Sequence, residues 1–197
     1  MGADQIAFAV AVAFLVWWMA GAQYNRRRVA HVAQLIGRSI RPLGRGAAMR
    51  PLGNSAFRVD LEQPAAGLGA FTLVCLLEPR DFPLAWLWMR LRGHRDRLVI
   101  KATFDRPPAE TLQLQGEEAA RRFHLPGLAV VNLQSYEPHL HLTVNLTRTR
   151  DLDEAGQIQR TVDLVRRLAG PGGQTPGSTS SFPSPGSGTS PPPRQHP

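Results

Sequence analysis

The chain has 197 residues, a net charge of +8 at neutral pH and one cysteine, Cys75, so it has no internal disulfide and no multi-cysteine metal site. Seven arginines between Arg26 and Arg50, with no acid among them, carry most of the charge. That placement excludes a basic surface spread over the whole fold, and no Phe, Tyr or Trp interleaves with those arginines to stack bases, so nucleic acid is not expected as a partner.

Residues 1–5 form a short leader, and residues 6–24, IAFAVAVAFLVWWMAGAQY, hold no charge. As a helix those residues reach roughly 28 Å, enough for one bilayer pass. Trp17, Trp18 and Tyr24 lie toward the end that meets Asn25 and Arg26-Arg27-Arg28, where aromatic rings prefer the headgroup level. A cleaved signal peptide is the main rival, since Ala20-Gly21-Ala22 has the small-x-small form. The flanks oppose it: the leader holds Asp4 and no basic residue, and the arginines follow the apolar run. By the positive-inside rule the expectation is an uncleaved signal-anchor in the cell membrane, single-pass, N-terminus outside and the bulk of the chain in the cytoplasm. A buried helix of a soluble domain would need a core on every side, which a domain this small cannot supply.

Residues 25–56 read as a basic juxtamembrane helix followed by a Pro/Gly/Arg linker. Val29, Val32, Leu35 and Ile36 recur at helical spacing until Gly37. Arg-Pro-Leu-Gly then occurs at 41–44 and again at 50–53, a composition expected to be extended and mobile. Arg26, Arg27 and Arg28 set the topology and face the lipid bilayer, with its anionic headgroups as possible ligands.

Residues 57–169 are expected to form an α+β cytoplasmic domain, an antiparallel, hairpin-built sheet covered by helices. Phe57, Val59 and Leu61 alternate with polar residues, and Ala70 to Leu77 is apolar on both parities, as in a strand covered on both faces; the two should pair. Leu98 to Phe104 and Thr111 to Gln115 suggest a second hairpin, and Leu128 to Leu133 with His139 to Thr147 a third. Gly116 to His124 is helical in pattern, with Glu117–Arg121 and Glu118–Arg122 pairs. A last helix should open at Asp151, with Glu154 at the reciprocal capping position and Leu152, Ala155, Ile158, Val162, Val165 and Ala169 as its apolar stripe. Cys75 falls in an apolar run and reads as buried. Residues 170–197, rich in Gly, Ser, Thr and Pro, read as a disordered tail.

Two constellations are candidates for function. Phe82 to Leu91, FPLAWLWMRL, is apolar on almost every side of a helix and runs into a string of arginines. Trp86, Leu87, Trp88 and Met89 suit the headgroup boundary, with Arg90, Arg92, Arg95 and Arg97 meeting lipid phosphate; a core helix or an unidentified protein partner's groove are the competing readings. Glu137, His139 and His141 fall at i, i+2 and i+4 of a strand, so two imidazoles and a carboxylate share one face and suit a divalent metal. An ordinary polar strand face explains the same residues, because Leu140, Leu142 and Val144 are the apolar parity. The chain carries no Walker loop, G-x-G-x-x-G, H-E-x-x-H or G-x-S-x-G signature, and no cofactor is implied. The function expected is therefore that of a non-catalytic interaction or assembly module at the membrane surface. The alternative is a membrane-tethered metal-dependent enzyme using Glu137, His139 and His141.

Overall fold

The computed structural model describes residues 2–80, 83–93, 95–108, 110–134, 136–147 and 152–170. The fold is α+β: a long N-terminal apolar helix leads into a seven-stranded antiparallel sheet with helices. Helix α1 spans Ala3–Ser39 without interruption and passes into a short 3-10 turn, Arg41–Leu43. The strands are β1 Gly44–Pro51, β2 Ala56–Pro64, β3 Leu68–Leu76, β4 Arg97–Phe104, β5 Leu112–Gln115, β6 Leu128–Leu133 and β7 His139–Asn145. Helix α2, Pro83–Leu91, joins β3 to β4; α3, Gly116–Phe123, joins β5 to β6; α4, Glu154–Ala169, closes the domain.

Strand order in the sheet is β1-β2-β3-β4-β7-β6-β5, with every neighbour antiparallel. Side chains alternate across a strand, so one parity makes a continuous apolar face: Phe57 and Val59, Phe71 and Leu73, Leu98 and Ile100, Leu140 and Leu142, Val131 and Leu133 are all buried. Against that face the second half of α1 contributes Val32 and Ile36, and α4 contributes Ile158, Val162 and Val165. The two helices lie side by side and run the same way. Arg28 pairs with Glu154 at one end, while at the other Ala65 donates to the Leu43 carbonyl and Gly67 abuts Ala169. Gly67 has φ +95°, and a Cβ there would run into the Ala169 carbonyl oxygen, so only glycine suits this turn.

The β2–β3 and β6–β7 hairpins pair as expected from the sequence. Four expectations need correction. The proposed linker is not free: Gly44–Pro51 is an edge strand in register with β2, and Val32, Ile36, Ile40 and Leu43 belong to the core. The folded unit therefore begins before residue 57. Leu98–Phe104 and Thr111–Gln115 do not pair; β4 is flanked by β3 and β7, and the four-residue β5 lies at the far edge on β6. Strand β3 is covered on one face only, since Ala70 and Leu76 are exposed. The cap of α4 is Asp153, whose Oδ1 accepts from the Gly156 N–H at 2.8 Å, and Glu154 is committed elsewhere. Asp151, His94 and the tail from 171 onward lie outside the described residues.

Candidate functional site

Where α1 leaves its apolar run, four segments meet. The first part of α1 is long and apolar enough to cross a membrane, and only 6% of its most apolar window is buried in the protein, so it is no core helix. The core takes over with Val32. Between these two regimes sit Tyr24, Asn25 and Arg28.

Arg28 is the fastener. Its guanidinium forms a two-pronged ion pair with Glu154 (2.7 and 2.8 Å) and also reaches Asp96 at 3.2 Å. Burial alone would lower the Arg28 pKa, but the hydrogen bonds and charges of Glu154 and Asp96 outweigh it and raise the value. Asp96 in turn accepts from the Glu78 N–H at 2.8 Å. One arginine thus ties α1 to the start of α4 and to both ends of the segment that carries α2. Asn25 Nδ2, Arg28 Nε and Trp86 Nε1 lie buried without hydrogen-bond partners among the described residues, as do both carboxylate oxygens of Glu78, which has Arg90 at 3.7 Å.

Arg80, two residues past Glu78, lies over the Tyr24 ring with 4.5 Å from its guanidinium carbon to the ring centroid. This stack puts the start of the α2 segment level with the last residue of the apolar run. Among the described residues, helix α2 packs only sparsely against the other helices and strands. Trp86 and Met89 are half-buried, whereas Leu87 is 49% exposed, Trp88 57% and Leu91 76%. Arg92 covers the Trp88 ring at 4.3 Å. Arg90, Arg92, Arg95 and Arg97 are all exposed. The β1–β2 turn reaches the same end of the sheet, since Leu77 donates to the Ser55 carbonyl there, and it carries Leu52, 57% exposed.

Of the three arginines assigned to topology and lipid, Arg26 and Arg27 are exposed while Arg28 is consumed by its carboxylates and is not available to lipid. Sequence spacing missed the Arg28, Asp96 and Glu154 cluster because its members are 68 and 126 residues apart. The usable signal was Asp96, a single acid in an arginine-rich stretch.

Next to α1 and α4 the same junction opens a cleft of about 520 Å³, bordered by Tyr24, Arg28, His31, Arg80, Asp153 and Glu154.

The histidines lie elsewhere. His139 and His141 both project from the uncovered face of the sheet, over a shallow depression of about 390 Å³ that also holds Lys101 and Asn132. Register sets Thr103 opposite His139 and Lys101 opposite His141. His139 Nδ1 is 3.2 Å from the Thr103 hydroxyl. Glu137 precedes the strand, exposed in the turn. Among the described residues no three His, Cys, Asp or Glu side chains are grouped to hold a metal ion. A lysine opposite one of the imidazoles works against a divalent cation there.

Cys75 is fully buried, and burial pushes its thiol pKa up, with the carboxylates of Asp96 and Glu154 adding to the rise. It is a small core side chain, not a nucleophile. No protein-family model matches the chain, and no curated protein is significantly similar to it. The chemistry of the junction has to be read from its own residues.

Proposed function

We propose that this is a single-pass membrane protein, N-terminus outside, whose cytoplasmic domain is a non-catalytic interaction module held against the inner membrane surface, with α2 as its contact. The observation that carries the reading is the Arg80–Tyr24 stack. If residues 6–24 span the bilayer, Tyr24 lies at the headgroup level, and α2 begins three residues beyond Arg80. Its exposed Leu87, Trp88 and Leu91 then have the acyl boundary to enter, and Arg90, Arg92, Arg95 and Arg97 have lipid phosphate within reach. An apolar helix that leaves Leu87, Trp88 and Leu91 exposed is consistent with that use.

The rigid coupling supports the same reading. Because α1 continues unbroken into the core and Arg28 clamps it, the domain has one orientation relative to the span instead of swinging on a tether. Such a base suits assembly with a partner at a fixed height above the bilayer.

The test uses residues 25–170, which keep every core side chain, in flotation with neutral and anionic vesicles. Binding that requires anionic lipid and is lost in Trp86→Ser plus Trp88→Ser, with the fold intact, is the expected result. A folded domain that binds neither vesicle refutes α2 as a lipid contact.

A further inference from the structure

We infer that the cleft beside α1 and α4 is a site for a zwitterionic phospholipid headgroup with a primary ammonium, a phosphoethanolamine group; this rests on the membrane reading above. The cleft holds opposite charges that do not satisfy each other. Arg80 borders it, stacked on Tyr24 and, among the described residues, without an ion-pair partner. Asp153 also borders it: its Oδ1 is occupied by the Gly156 N–H, and no described residue forms an ion pair with it. Arg28 at the same cleft is already held by Glu154 and Asp96, so its guanidinium does not compete with Arg80 for the phosphate.

The order of charges along α1 matches a lipid. Arg80 is level with Tyr24, at the end of the apolar run. Arg28 is one helical turn further on, about 6 Å deeper into the domain, and it fixes Glu154 and so its neighbour Asp153 at that level. A phospholipid presents its phosphate next to the glycerol and its ammonium beyond, one ethanolamine bridge away. Phosphate therefore meets the Arg80 guanidinium and ammonium meets the free side of Asp153, both through charge-assisted hydrogen bonds. A choline headgroup has no N–H to give Asp153. A headgroup with an added negative charge beyond its phosphate brings that charge against the Asp153 carboxylate. The site is distinct from the α2 contact, whose exposed arginines favour net anionic lipid.

The experiment inserts the full chain into phosphatidylcholine vesicles with and without phosphatidylethanolamine, extracts it in mild detergent, and counts retained lipid by native mass spectrometry. Retention of one phosphatidylethanolamine in about tenfold preference over phosphatidylcholine is expected, the factor that one charge-assisted hydrogen bond supplies. Asp153→Asn should remove the preference, and Arg80→Gln should lower retention of both lipids, since both carry the phosphate; Asn still caps α4, so the first variant keeps its helix. Carbonate extraction of the same vesicles reads the span itself. A chain released by carbonate overturns the membrane reading and this inference together. An inserted chain that holds both lipids equally, whose preference survives Asp153→Asn, or whose lipid retention is unaffected by Arg80→Gln, overturns this inference alone. So does stoichiometric binding of soluble phosphoethanolamine by a chain that retains no phosphatidylethanolamine.

Discussion

Arg28→Met is the substitution that most directly probes how the long apolar helix is joined to the rest of the fold. It removes contacts to Glu154 at 2.7 and 2.8 Å and to Asp96 at 3.2 Å, leaving carboxylates whose side chains are 18% and 11% exposed. Stripping one partner from a buried pair costs about 3–5 kcal/mol. Here the cost falls below that range: Arg28 is 26% exposed, Asp96 keeps the Glu78 N–H, and Glu154 sits in the first turn of α4, where the helix dipole favours an anion. About 2–3 kcal/mol remains, which for a domain of this size lowers the melting temperature by about 10 °C. Near-ultraviolet circular dichroism of the detergent-solubilised chain reads it. Glu154→Gln in the Arg28→Met background should be much less costly than in wild type, because it removes an already orphaned charge. A melting temperature unchanged by Arg28→Met, or strict additivity of the two substitutions, refutes the clamp.

Three further outcomes follow from the fold. A chain begun at residue 51 loses Val32, Ile36, Ile40 and Leu43, each at most 1% exposed, and with them about 6–12 kcal/mol of burial, comparable to the whole stability of a domain. It should be unfolded by circular dichroism, whereas a chain begun at residue 25 should fold. Cys75 should resist thiol-reactive dye at pH 8 in the native chain and react promptly in guanidinium; fast native labelling contradicts its burial. At Asp60, burial acts to raise the pKa, but the Arg58 and Thr72 hydrogen bonds and the charges of Arg58 and Arg50 prevail and lower it. Its folded pKa being depressed, its stabilisation is full above the ordinary carboxylate value of about 3.9 and is lost as pH falls through the folded value. Asp60→Asn should cost less than about 1 kcal/mol at pH 7, a small value because the Arg58 partner is 48% exposed, and should remove that part of the acid limb in a urea titration series.

Legibility from sequence followed burial. Strands β2 and β7 alternate because one face is packed and the other wet, and α4 shows its stripe for the same reason. Strand β1 left no such mark: as an edge strand it needs pairing on one side only, and Arg45, Gly46 and Pro51 are tolerated there. The error over β4 and β5 came from proximity in sequence. Residues Arg97–Phe104 match β3 along its length and β7 along nearly as much, whereas β5 offers four residues, so the longer ladders win. Strand β3 looked buried on both faces because Val74 and Leu76 are apolar, yet nothing covers that side. At the candidate site, α2 and its arginines were visible in the sequence as composition. The Arg28 clamp and the Arg80–Tyr24 stack were not, because they join residues brought together only by the tertiary fold.

The central claim is that α2 lies in the headgroup boundary beside the span. The most direct measurement uses the full chain with Trp17→Phe and Trp18→Phe, leaving Trp86 and Trp88 as the only indoles. The chain is placed in anionic vesicles whose lipids are brominated near the top of the acyl chains. Emission strongly quenched relative to unbrominated vesicles is the result this account predicts. Equal emission in both, from a chain shown to be inserted, would place α2 away from the bilayer and contradict it.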